Sequence, residues 1–211
     1  MSAALQSARE YHLLLPPGWL RLPIDDRAFE RVALLVSQRV AQLPVEHREQ
    51  ARTTLTRLLT EAIRNAEDAS GIDVLIAADQ VVGVPVTASC VVAHVSRNGL
   101  STPALVAELT EAHAGVRMVS IGGGDAVRQR LRRRVFEDGR VELLAPEPLD
   151  QPSPPAADEG ASIVEDSLRF FVPMPGSEDL LLFSFTTVQP MLVQALLSLF
   201  DAMMSTLRWV R

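Results

Sequence analysis

The residue types best suited to chemistry fall in one run, Val127-Arg128-Gln129-Arg130-Leu131-Arg132-Arg133-Arg134-Val135. As a strand it puts Arg128, Arg130, Arg132 and Arg134 on one face, with successive side chains about 7 Å apart. Guanidinium forks match carboxylates and phosphates, so this face is the candidate binding surface. An acidic protein partner, or the chain's own acidic segment, ranks first as occupant, and a plain solvated sheet face second. Nucleic acid ranks last, because no aromatic side chains are interleaved with the arginines.

Other candidates are weaker. Gly122-Gly123-Gly124-Asp125 can offer amides to an anion, but it leads into no helix and matches no phosphate-loop pattern, so a hairpin turn is expected. His12, His47, His94 and His113 show no metal-ligand spacing, and Cys90 has no second cysteine beside it. No cofactor is implied. Cys90 reads as a small buried residue, although Cys90 and His94 share a strand face at even spacing. No nucleophile elbow, zinc-protease helix or dinucleotide fingerprint occurs.

The elements that must position these residues centre on the last forty-five positions. Ser167 to Pro173 and Leu180 to Thr186 read as a hairpin turned at Pro175-Gly176-Ser177. In its first strand Leu168, Phe170 and Val172 face one way, Arg169 and Phe171 the other. The second strand is apolar on both faces, as expected of a central strand. A long helix to Trp209 follows, with Thr187 as N-cap and Pro190 in its first turn. Gln194, Ser198, Asp201, Ser205 and Arg208 form one narrow polar stripe, so most of the helix circumference is expected to be buried.

Upstream, Tyr11 to Leu15 reads as a strand turned by Pro16-Pro17-Gly18. One helix starts at Asp25 or Asp26 and carries Phe29, Val32, Val36, Val40 and Leu43. A second runs from Glu46 to Ala69 with Leu55, Leu58, Ala62 and Ala66 on its apolar face and Gly71 as its cap. Ile72–Ala78 and Val86–Val95 read as paired strands, Thr102 to Gly115 as a helix, and Val116–Ile121 and Ala126–Phe136 as strands.

At 211 residues and 47% hydrophobic content the chain can build a substantial core. All twenty basic residues are arginine, a signature of GC-rich coding. The net charge of −6 is unevenly placed: Glu147, Asp150, Asp158, Glu159, Glu165 and Asp166 lie in a stretch without arginine, and the remainder balances twenty acids against twenty arginines. Residues 145–162 carry five prolines and read as an insertion within one domain. The acidic stretch starts about ten residues after the arginine strand, so it is expected to lie over that face. One cysteine, no leader pattern and no membrane-length apolar run point to the cytoplasm.

Leu15-Pro16-Pro17-Gly18-Trp19, the helix pair and Val172-Pro173-Met174-Pro175-Gly176 with Phe200-Asp201 and Leu207-Arg208-Trp209 resemble uncharacterised actinobacterial proteins of this layout. The closing hairpin and helix also resemble Mog1/PsbP-like α/β sandwiches. These resemblances imply a fold, a secretion-associated or toxin-related setting, and no transferable catalytic residues. The expectation is one α+β domain, mainly antiparallel sheet with packed helices, acting as a non-catalytic cytoplasmic protein-binding or accessory module. The alternative is a small-molecule enzyme with a pocket between sheet and helices, walled by His94 or Cys90.

Overall fold

The computed structural model describes residues 10–77, 80–81, 84–85, 87–97, 99–112, 115–144 and 162–210. In chain order these form β1 (Tyr11–His12), β2 (Trp19–Pro23), α1 (Ala28–Ala41), α2 (Val45–Asp68), β3 (Gly71–Ala77), β4 (Gln80–Val81), β5 (Val84–Pro85) and β6 (Ala88–Ser96). Then come α3 (Thr102–Ala112), β7 (Val116–Ile121), β8 (Gly124–Phe136), β9 (Val141–Leu144), β10 (Ser162–Pro173), β11 (Asp179–Thr187), α4 (Val193–Ser205) and β12 (Arg208–Trp209).

Eight strands make one antiparallel sheet in the order β2-β3-β6-β11-β10-β8-β7, with β9 also on the outer side of β8. The fold is therefore α+β, as the sequence predicts. β11 lies at the centre, which explains why Leu180 to Phe185 is apolar on both faces. Strands from both sides of residues 145–161 join this sheet; the proline-rich insertion itself lies outside the described residues.

The pairing register defines two faces. Leu75, Cys90, Val92, Leu168, Phe170, Phe183 and Phe185 share one face and form a core with Leu196, Leu197, Phe200, Met203 and Met204 of α4. Leu22, Val74 and Val91 share the other and pack under α1 and α2 through Val32, Val36, Val40, Ile63 and Ala66. The first is called the α4 face below, the second the α1–α2 face. Residues 168, 170 and 172 are buried and 169 and 171 only partly, matching the alternation read in the sequence.

Several boundaries differ from the sequence reading. The last helix ends at Ser205, because Arg208 and Trp209 turn back to pair with Tyr11 and His12. β1 is accordingly two residues long, not the whole of Tyr11 to Leu15. Thr187 does not cap the helix. Its hydroxyl donates to the Thr87 carbonyl and accepts from the Gln189 amide, and a 3-10 turn at Pro190–Leu192 intervenes. α4 buries one face only, at Leu196, Leu197, Phe200, Met203 and Met204, while Ala195 and Ala202 join the polar stripe in solvent. Small alanines leave that side shallow enough to need no cover. Phe29 and Leu58, expected on packing faces, are exposed, and Ala28 and Ile63 take the buried positions. Ser70, not Gly71, holds the left-handed backbone after α2. Gly71 instead opens β3, where a Cβ would sit 2.6 Å from the Ala66 carbonyl oxygen. β9 has no counterpart in the sequence reading, and β10 begins five residues earlier than read.

Asp73, 2% exposed, ties the N-terminal segment to the sheet. It accepts from the Tyr11 hydroxyl at 2.7 Å and from Arg21 Nε and an Nη at 2.9 and 2.7 Å. The Arg21 guanidinium also lies over the Tyr11 ring at 4.4 Å. Burial first, then the Asp73 charge and hydrogen bond, push the Tyr11 phenol far up. A raised folded-state pKa means its stabilisation is fully present below about pH 10 and is lost as pH rises above it. Tyr11 is the chain's one tyrosine. The tyrosinate absorbance should therefore stay flat through pH 10 and appear only with alkaline unfolding. Tyr11→Phe should lower stability by about 1 kcal/mol at neutral pH and flatten the alkaline decline.

Leu196, 5% exposed, and Ser198, exposed, lie two residues apart on α4. Leu196→Asp places a carboxylate in the core and should abolish cooperative thermal unfolding. Ser198→Asp should stay within about 0.5 kcal/mol of the parent. Equal melting temperatures for the two variants would contradict the helix orientation.

Candidate functional site

β8 is thirteen residues long and carries the arginine run on a regular alternation. Its entry is the β7–β8 hairpin at Gly122 and Gly123, with φ of 62° and 84°. Only glycine takes these angles at no steric cost. A Cβ on Gly122 would also stand 3.0 Å from Trp209 Nε1, so the turn is fixed against the chain's end. Asp125 is exposed beside it.

The register places Arg128, Arg130, Arg132 and Arg134 on the α4 face, opposite Phe170, Leu168, Asp166 and Val164. The four arginines therefore extend the core face towards one end of the sheet. Each meets an acid of the chain. Arg128 makes a two-pronged pair with Asp201 of α4, Nε to Oδ1 at 2.7 Å and an Nη to Oδ2 at 2.9 Å. Arg130 and Arg132 flank Asp166 at 3.2 and 3.6 Å, with that carboxylate almost wholly buried. Arg134 reaches Glu142 of β9 at 3.1 Å. On the opposite face Arg133 pairs with Glu165 at 2.6 Å, and Ser167 donates to the same oxygen at 3.1 Å.

Asp201, read only as part of a polar stripe, thus docks α4 onto β8 with a charge-assisted fork. Glu165 and Asp166, read as the end of an acidic stretch, are strand residues opposite Arg133 and Arg132. The signal was available: Glu-Asp near the start of one strand, across from Arg-Arg of another, is a cross-strand charge pair. The expected cover by Glu147, Asp150, Asp158 and Glu159 concerns positions outside the described residues.

Cys90 is fully buried, and burial pushes its thiol well up. It is in the core, not at a pocket wall. His94 lies four residues along the strand, about 13 Å away, too far for proton transfer. It sits 3.5 Å from Asp179 instead. His12 is exposed on β1, His47 is exposed in the first turn of α2, and His113 lies outside the described residues. Among the described residues no three metal-ligating side chains converge. Open grooves run along α2, one of them past Arg52, Thr56, Arg57, Thr60, Glu61 and Arg64.

No family model and no curated protein matches the sequence. A solved structure, cyanobacterial PsbP (CyanoP) from Synechocystis sp. PCC 6803 in solution, is similar over 95% of this chain and 86% of its own, at 10% identity and a TM-score of 0.42. No helix among the described residues is long and apolar enough to cross a membrane.

The sealed thiol has a direct check. Cys90 should react with a maleimide reagent only through global opening, so labelling should be slowed by a factor comparable with the folding equilibrium constant and return to the normal thiol rate in denaturant. Fast labelling of the native protein would place Cys90 at a surface.

Proposed function

We propose that this chain is a non-catalytic cytoplasmic accessory protein of an actinobacterium, and that it binds an acidic protein partner at the β9–β8–β10 corner of its sheet. One observation carries the reading. Val141, Leu143 and Ile163 are 51%, 55% and 58% exposed and lie on one face around Val135 and the Arg133–Glu165 pair. Large apolar side chains gathered on a sheet surface are a mark of contact surfaces. Among the described residues β9 pairs only with β8, and its other edge is the one a partner's strand would extend.

The arginines support an acidic partner. Around β8 the described side chains include Arg128, Arg130, Arg132, Arg133, Arg134 and Arg169 against Asp166, Asp201, Glu142 and Glu165. The β8–β9 turn adds Glu137, Asp138 and Arg140, so the support for an acidic partner is the density of guanidinium forks along β8 and not a net charge. In this reading Arg128, Arg130 and Arg132 hold the strand rigid through their internal pairs. Arg134 lies on the α4 face, across the sheet from the apolar patch, and is the arginine that changes partner when a strand added along β9 presents side chains to both faces. Its pair with half-exposed Glu142 is worth only about 0–1 kcal/mol, so an incoming carboxylate can take Glu142's place. The resemblance in layout to actinobacterial proteins supports a secretion-associated or toxin-related setting.

The test is affinity capture from the native host's lysate with the wild-type protein, Leu143→Asp/Ile163→Asp, and Thr56→Asp on the α2 groove as control. A partner at this corner should be lost at least tenfold by the double variant, kept by the control, and weakened by rising salt. Arg134→Gln should reduce its capture severalfold. Equal capture by wild type and double variant, with both folded by circular dichroism, would refute the reading.

A further inference from the structure

The α1–α2 face carries an unbroken row of side chains across seven strands: Val116, Gln129, Arg169, Ser184, Val91, Val74 and Leu22. Its β2–β3–β6 end is apolar and covered by α1 and α2. Its middle is polar, with Gln129, Arg169 and Ser184 adjacent across β8, β10 and β11. Gln129 is 1% exposed, and among the described residues neither its amide oxygen nor its amide nitrogen has a hydrogen-bond partner. Directly across the ladder, the Arg169 guanidinium is partly buried, its Nε is enclosed without a partner, and among the described residues no carboxylate pairs with it. The nearest acid, Glu165, is already held by Arg133 and Ser167.

A buried carboxamide that makes no hydrogen bond forfeits its hydration for nothing, and an enclosed guanidinium without an anion forfeits more. Such groups mark a place where something else completes the bonding. The chemistry names the missing part. Arg169 offers a planar fork of N–H donors, the Gln129 amide nitrogen offers two more, and Ser184 on β11 offers a hydroxyl in the same row. The local charge, Arg133 and Arg169 against Glu165, is one positive in excess. Burial, followed by the Arg133 charge, lowers the Arg169 pKa, with Glu165 only partly opposing.

We infer that Gln129, Arg169 and Ser184 form a binding site for a carboxylate group, seated on the fork of Arg169 with one oxygen towards the Gln129 amide. Gln129 and Arg169 lie outside the set of even-numbered β8 arginines, and the site does not depend on the β9 corner for binding. A planar two-oxygen anion fits the fork in a way that a halide cannot.

The experiment follows the melting temperature of the purified protein during titration with acetate, glutarate, or acetyl-Gly-Glu-Gly-amide, each against sodium chloride and sodium sulfate at matched ionic strength. At tenfold excess over its Kd a carboxylate should raise the melting temperature by about 3–5 °C beyond chloride. A larger response to the blocked peptide assigns the carboxylate to a polypeptide, and a larger response to the small acids assigns it to a free metabolite; either supports the site. Gln129→Leu should melt about 2–4 °C higher than wild type without ligand, because it removes an unbonded buried amide, and should lose most of the carboxylate effect. Arg169→Gln should fold and lose the effect entirely, whereas Leu143→Asp/Ile163→Asp should retain it. Identical shifts with carboxylates and chloride, a response unchanged in Arg169→Gln, or a Gln129→Leu variant less stable than wild type would each overturn the assignment.

Discussion

Phe200 of α4 stacks on Phe185 of β11 with ring centroids 4.8 Å apart, and the rest of the architecture depends on that contact. Phe185 in turn meets Phe170 edge-on at 6.1 Å, and Phe200 meets Trp19 edge-on at 6.1 Å. Four aromatic rings from β2, β10, β11 and α4 are thereby locked together over one sheet face. Phe170, Phe185 and Phe200 are sealed from water, and each large side chain so buried contributes roughly 1.5–3 kcal/mol. With α4 fixed there, the opposite face is left to α1 and α2, and the central strand is closed on both sides.

The same contact dictates what happens to the arginines. Once α4 occupies one face, the even-numbered residues of β8 border the core. Four guanidinium groups cannot stand there without anions, since unpaired charge at low exposure costs several kcal/mol. Asp201, Asp166 and Glu142 supply the charge from three different elements, and two of them pin β8 to α4 and to β10. What looks in the sequence like a surface for an outside acid is therefore largely an internal electrostatic seam. The open chemistry moves to its margins: to Arg134 at the end of that seam, and, on the reverse face, to the apolar corner beside β9 and to Arg169.

Side-chain alternation made the hairpin, the central strand and the arginine strand legible, because a period of two survives in any sheet whose faces differ in polarity. The turn at Gly122 and Gly123 was legible for a similar reason: positive φ selects glycine. The two-residue pairing of Tyr11–His12 with Arg208–Trp209 was not. A strand of two residues has no period, and its partners are nearly two hundred positions apart. β9 escaped notice because its four residues, Val-Glu-Leu-Leu, expose the first three and so lack the inward-facing pattern of a buried strand.

By itself the sequence determined the α+β class, the order and most boundaries of the long elements, and the central place of β11. Those depend on local polarity patterns and on backbone preferences that a short window contains. Only the tertiary structure decided which sheet face α4 covers, and with it whether the arginines look outward or into the molecule. It alone joined Arg128 to Asp201 across 73 positions and Arg130 to Asp166 across 36. It alone set Gln129 opposite Arg169 in the ladder between β8 and β10. Pairing register and helix docking are long-range choices: a shift of one residue sends every side chain of a strand to the other face, and no local stretch of sequence encodes its partner's register.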